Sequence, residues 1–162
     1  MFSRKFAVSM CAVLLGSVLL LSGCTLAMPK EEVTASTSAA PQCTTFSENS
    51  HGAEVSSRSG KTTLFGLCQG PGQTPIQASD QVVKVVWRMT GKGDLKIEIK
   101  DPSGSTRPLA WGPESHSGSS YDRPGDEWGT GMVFDKPGCW ELDFVRADEG
   151  RAVLRLSVLP HS

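Results

Sequence analysis

Apolar and polar side chains alternate along four segments of this chain, with apolar positions two residues apart. These segments are residues 83–89, 95–100, 140–144 and 154–158. Because successive side chains of a strand point to opposite faces of a sheet, the pattern predicts strands with one buried face. Weaker forms of the same pattern predict further strands at residues 62–68, 105–111 and 129–134.

Clusters of Gly, Pro and Asp separate these segments and are typical of turns. We expect short hairpins at residues 90–94 and 146–150. About seven short strands without a convincing helix predict an all-β fold, an antiparallel β-sandwich that is immunoglobulin-like in broad architecture. A small closed β-barrel is the alternative, since periodicity does not distinguish the two. The Trp rings at positions 87 and 140 occupy alternating strand positions and are expected in the core.

The chain begins with a basic pair, Arg4 and Lys5, followed by an apolar run over residues 6–21 and then by Ser22, Gly23 and Cys24. This order is that of a secretory signal. It resembles a bacterial lipoprotein signal, which implies cleavage after residue 23 and a lipid on Cys24. A transmembrane helix that stays uncut is the alternative, but the run is shorter than the roughly 20 residues that span a bilayer.

The segment that follows, residues 25–42, is rich in Ala, Ser, Thr and Pro and poor in large apolar groups. Such a composition does not offset the entropy of ordering by burial. We therefore expect three parts: a signal peptide over residues 1–23, a lipidated Cys and flexible tether over residues 24–42, and a single domain over residues 43–162.

Charge argues against one class of partner. Residues 1–24 contain two of the 16 basic side chains and none of the 17 acidic ones, which leaves 14 against 17 in the mature chain. A slightly acidic domain without a basic run is not expected to bind nucleic acid.

Three cysteines would remain outside the cytoplasm, Cys43, Cys68 and Cys139, and they cannot all pair within one chain. We expect a disulfide between Cys43 and Cys68, the most local pair, which leaves Cys139 as a small apolar residue. A disulfide between Cys68 and Cys139 is the alternative. No close pair of Cys or His has the spacing of zinc ligands, so we expect no metal site of that kind.

Candidate chemistry concentrates at residues 112–127 and the two Trp residues that flank them. This stretch lacks apolar periodicity and is longer than most loops in a compact domain. The candidate binding residues, which are aromatic, acidic or imidazole side chains, are Trp111, Glu114, His116, Tyr121, Asp122, Asp126, Glu127 and Trp128.

Three interpretations of this segment are open. Its carboxylates and imidazole are suitable ligands for a cation. Its aromatic faces and acidic acceptors also suit a sugar or a wall polymer. Alternatively, the loop packs on itself, with the Trp rings covering one end of the sandwich and Arg123 paired with Asp122 or Asp126.

Four motifs extend across the predicted domain: VVWRMTG at residues 85–91, WGPE at residues 111–114, RPGDEWG at residues 123–129 and PGCW at residues 137–140. With these motifs, residues 62–158 resemble a family of small uncharacterised lipoproteins of actinobacteria. The resemblance implies anchoring outside the cytoplasm and a β-sandwich-like domain. It implies no activity, ligand or catalytic residue.

The sequence favours a non-catalytic lipoprotein, lipid-anchored on the extracytoplasmic face of the cell membrane. Its domain would bind a cell-wall component or an envelope protein, without a cofactor. An ion-binding or accessory subunit of an envelope complex is the alternative. A hydrolase with Ser115 as nucleophile and His116 as base is the least favoured of the three interpretations. Side chains of adjacent residues usually point apart, so these two are poorly placed to act together.

Overall fold

Residues 42–69 and 74–162 are described by the computed structural model, and they form two antiparallel sheets without a helix. The strands are β1 (Ser47–Asn49), β2 (Gly52–Ser59), β3 (Thr62–Gln69), β4 (Val82–Met89), β5 (Leu95–Lys100), β6 (Thr106–Arg107), β7 (Trp111–His116), β8 (Asp126–Val133), β9 (Gly138–Arg146) and β10 (Arg151–Val158). One sheet has the order β1-β2-β3-β4-β8-β7 and the other β10-β9-β5-β6. The predicted β-sandwich is therefore confirmed, and the sheets do not close into a barrel.

The core lies between the two sheets and is built from the alternating positions that the sequence predicted. Trp87 of β4 packs on Phe144 of β9 with 4.6 Å between ring centroids, and both side chains are fully buried. The indole nitrogen of Trp87 donates a hydrogen bond to Thr130 Oγ1 at 2.9 Å, which satisfies its polar atom. Trp140 is equally buried and donates to the Lys136 carbonyl at 2.9 Å. Both Trp rings are core residues, as predicted.

The predicted hairpin at residues 146–150 is confirmed, since β9 and β10 pair on either side of it. The hairpin predicted at residues 90–94 is wrong, because β4 belongs to the six-stranded sheet and β5 to the four-stranded one. This turn is a crossover between sheets. Buried Arg146 stabilises it by donating hydrogen bonds to the carbonyls of Met89 and Gly93, at 2.7 and 3.0 Å.

The disulfide expected between Cys43 and Cys68 is also wrong, as is its alternative. Cys43 is bonded to Cys139, with 5.9 Å between their Cα atoms. The reason is that Thr44 pairs in parallel with Leu156 of β10, whose neighbour Ser157 faces Cys139 across the β9–β10 ladder. Cys68 is buried in the core, where burial raises the pKa of its thiol to about 11.

The predicted signal peptide, Cys24 and nearly all of the tether lie outside the described residues. In residues 42–69 and 74–162, no helix is long and apolar enough to cross a membrane.

Candidate functional site

The stretch predicted as one long loop is only partly a loop. Its two ends belong to β7 and β8, which pair with each other, and residues 117–125 connect them. β7 is one of the two edge strands of the six-stranded sheet. We call residues 117–125 the connecting loop.

Tyr121 fixes the connecting loop on the outer face of the six-stranded sheet. Its ring packs against Leu67 and Val86, which point away from the core, and partly buried Phe65 borders this second apolar cluster. The Tyr121 side chain is 5% exposed although it lies in a loop. The connecting loop is thus a covering layer on the sheet.

Buried Glu54 of β2 holds this layer in place. Its two carboxylate oxygens accept hydrogen bonds from the Tyr121 hydroxyl at 2.7 Å, from Arg123 Nε and Nη2 at 2.6 Å each, and from Asn49 Nδ2 at 2.6 Å. Because these bonds favour the ionised form, they lower the pKa of the carboxyl to about 2, with the Arg123 bonds as the largest cause. Arg123 therefore pairs with Glu54, and neither Asp122 nor Asp126 is its partner.

A row of three charged or titratable side chains crosses the same outer face. Arg88 of β4 lies opposite Glu127 of β8, and Glu127 lies opposite His116 of β7. Arg88 Nε is 3.6 Å from Glu127 Oε2, and His116 Nδ1 is 3.8 Å from Glu127 Oε1. Both distances are longer than hydrogen bonds. Glu127 is 3% exposed, and its Oε2 has no hydrogen-bond partner.

Glu127 and His116 line an open depression with a volume of about 430 Å³ between the connecting loop and the sheet. Its lining is mostly polar, with an apolar floor, and consists of Ser50, His51, Leu67, Gln69, Lys84, Val86, His116, Ser119, Ser120, Tyr121 and Glu127. The volume lies within the range of small-molecule sites, roughly 300–1,000 Å³. The rings of Tyr121 and His51 also meet in an edge-to-face arrangement, with centroids 6.2 Å apart.

The structure brings only three of the eight candidate residues into this depression, His116, Tyr121 and Glu127. Trp128 points into the core, where the guanidinium of Arg146 lies 4.4 Å from its ring centroid. The carboxylate of Asp126 pairs with that same guanidinium. These two residues stabilise the end of the sandwich.

Glu114 and Asp122 are exposed and do not line the depression. Trp111 lies against the outer face of β8, where a Cβ at Gly131 would overlap its indole nitrogen. His116 approaches Gly129 in the same way, since a Cβ there would lie 2.9 Å from His116 Nε2. The two glycines leave room for both rings on the sheet.

Sequence reasoning missed four polar residues of the lining, His51, Gln69, Lys84 and Ser50. They come from the turn between β1 and β2, the end of β3 and the start of β4. No local signal distinguishes them from ordinary surface residues, because only the order of the strands brings them beside the connecting loop.

Within the described residues, no group of three or more His, Cys, Asp or Glu side chains is placed to hold a metal ion. The chain matches no protein-family model and none of the curated proteins with which it was compared.

Proposed function

We propose that this protein is a membrane-anchored lipoprotein on the extracytoplasmic face, whose sandwich is a non-catalytic binding module for a cell-wall component. The basic start, the apolar run and Cys24 support the anchor. The depression beside the connecting loop is the proposed binding site.

One observation carries the proposal. Glu127 is a buried carboxylate in the lining of a depression, and its contacts to Arg88 and His116, at 3.6 and 3.8 Å, are longer than hydrogen bonds. Buried carboxylates are normally hydrogen-bonded. A ligand hydroxyl that donates to Oε1, the oxygen nearer to His116, supplies such a bond.

The arrangement favours binding over catalysis. Ser115 lies opposite Trp128 in the ladder and His116 lies opposite Glu127, so the two adjacent side chains point to opposite faces of β7. They do not form a nucleophile and base. Ser119, which lines the depression, instead accepts a hydrogen bond from the Tyr121 amide at 2.9 Å and fixes the connecting loop.

Co-sedimentation with purified cell-wall sacculi tests the binding module. The lipidated protein in detergent micelles is expected to sediment with the sacculi, and His116→Phe is expected to weaken this while keeping a ring over Gly129. His161→Phe is the matched control, because His161 is exposed and lines a different depression. Sedimentation that is absent, or equal for both variants, would contradict the proposed site.

Metabolic labelling with a radioactive fatty acid tests the anchor. Cys24→Ala is expected to abolish the label, whereas Cys11→Ala, a change within the apolar run, is expected to leave it unchanged. A label that persists in the Cys24→Ala protein would show that the chain is anchored in another way.

A further inference from the structure

Glu127 and His116 are close enough for one ligand atom to contact both. Glu127 Oε1 and His116 Nδ1 are 3.8 Å apart. An oxygen atom that lies beside this pair can be at hydrogen-bond distance, about 2.8 Å, from both. The other carboxylate oxygen, Oε2, is enclosed beside Arg88, so a ligand in the depression reaches Glu127 through Oε1.

The chemistry of the two ends selects the bridging group. A carboxylate oxygen only accepts hydrogen bonds, and an imidazole N–H, the form that a neighbouring carboxylate favours at Nδ1, donates one. A hydroxyl group donates to the first and accepts from the second. An ammonium group only donates, and a carboxylate or phosphate only accepts.

The surrounding charges disfavour a cationic ligand. Arg88, 3.6 Å from Glu127 Oε2, balances the carboxylate, and Lys84 on the lining adds a further positive charge. A cationic ligand would meet these two charges. An anionic group is unsuitable at the bridging position for a different reason, because it cannot donate a hydrogen bond to the carboxylate.

The rest of the lining matches a sugar ring. The hydroxyls of Ser50 and Ser120 and the amide of Gln69 supply further hydrogen-bonding groups, while Leu67 and Val86 supply an apolar floor. A sugar presents the same mixture, with hydroxyls around its rim and C–H groups on its faces. Small-molecule sites combine such an apolar surface with a few placed polar groups.

We propose that the depression binds an uncharged saccharide, one hydroxyl of which bridges Glu127 Oε1 and His116 Nδ1. This inference rests on the proposed function and names the ligand class of the same site.

Saturation-transfer NMR tests the inference on the lipidated protein in micelles of a detergent without a sugar head group. The probes are three uncharged trisaccharides, tri-N-acetylchitotriose, maltotriose and cellotriose, and the triamine chitotriose at pH 6, where its amines are charged. Saturation transfer and binding are expected for at least one uncharged probe and not for the triamine, which differs from the first probe only at its amino groups.

His116→Phe is expected to weaken binding about 3- to 10-fold, the range for one hydrogen bond, and His161→Phe is expected to leave it unchanged. Gly129→Ala is the second variant, because it displaces the imidazole without altering a polar group. The melting temperature of each variant shows whether it is folded. Should His116→Phe fail to fold, Gly129→Ala alone decides the role of the imidazole.

Three results would overturn the inference, namely binding of the triamine as tight as that of the acetylated probe, no binding of any uncharged probe at millimolar concentration, and unchanged binding by folded His116→Phe or Gly129→Ala. If sacculi still bind in a His116-dependent way, the ligand class is wrong and the proposed function stands. If the protein does not bind sacculi either, both the ligand class and the proposed function are wrong.

Discussion

The replacement of Glu54 by Gln tests whether one buried carboxylate holds the connecting loop on the sheet. The substitution keeps the size of the side chain but removes its charge and one of its two acceptor oxygens. A folded-state pKa of about 2 against the usual 4.5 corresponds to about 3 kcal/mol of stabilisation at neutral pH. Arg123, the largest contributor, is 27% exposed, so solvent screening reduces the expected loss to about 2 kcal/mol.

The same reasoning fixes the pH dependence. The pKa of Glu54 is depressed in the folded state, so its stabilisation is complete above pH 4.5 and is lost as the pH falls towards 2. The stability difference between the wild type and Glu54→Gln is therefore expected to shrink across this window. Asp101 also has a pKa below its usual range, because Lys136 donates a hydrogen bond to it. Its contribution to the pH dependence is the same in the wild type and in Glu54→Gln, so it cancels in the difference between their stabilities.

Urea unfolding, followed by Trp fluorescence at pH 7, 4, 3 and 2, measures this difference. Glu98→Gln is the matched control, since Glu98 is exposed and pairs only with Lys100 among the described ion pairs. A loss below about 0.5 kcal/mol for Glu54→Gln at pH 7 would refute the reasoning, because it would equal the effect of an ordinary surface change. A difference that stays constant down to pH 2 would refute it as well.

Peptide mapping without reductant is expected to recover a peptide pair joined through Cys43 and Cys139. A disulfide-linked pair that contains Cys68 would instead show that residue 43 is placed wrongly in the fold. The Cys43–Cys139 bridge has a sequence separation of 96, and the loop-entropy model assigns it a stabilisation of about 4 to 5 kcal/mol. Trp140→Ala is expected to destabilise the domain by roughly 3 to 5 kcal/mol in the same urea assay, because it empties a fully buried site; a loss under about 1 kcal/mol would place the ring outside the core.

Strands with one face in the core were predictable, since their burial follows the alternation. β9 is an example, where Trp140, Leu142 and Phe144 are buried and the residues between them are partly exposed. β2 was not predicted because only Ala53 and Val55 fill its core positions, and the buried residue between them is charged. A charged residue predicts exposure unless its partners are known.

Features that depend on distant parts of the chain were not predictable from local pattern. The Gly-rich turn after β4 has the same composition whether the chain returns to its own sheet or crosses to the other. Its path depends on Arg146, more than 50 residues further along the chain. The disulfide likewise depends on the pairing of Thr44 with Leu156. Spacing along the chain favoured Cys68 as the disulfide partner of Cys43, whereas strand pairing brings Cys139 to it.

The candidate loop at residues 112–127 was located only in part, since residues 117–125 alone lie outside the strands, and its aromatic residues misled. The sequence places Tyr121 and Trp128 together, as candidate binding residues in and beside one loop. In the structure Trp128 faces the core, and Tyr121 anchors the connecting loop on the opposite side of the sheet. The direction of Trp128 follows from which residues of β8 face inward, and a one-residue shift of that assignment would exchange it with Glu127. The direction of Tyr121 follows instead from its contacts with Glu54, Leu67 and Val86.

The two outer faces of the sandwich differ in a way that bears on where a ligand binds. On the four-stranded sheet, Arg151 pairs with Asp143 and Arg155 pairs with Glu141, so these charges are satisfied by neighbours and by water. On the six-stranded sheet, the buried carboxylate of Glu127 lines the depression, and its contacts to Arg88 and His116 are longer than hydrogen bonds. A ligand gains little where polar groups are already hydrogen-bonded, and it gains more where a buried carboxylate has only longer contacts. The outer face under the connecting loop is therefore the favoured binding surface.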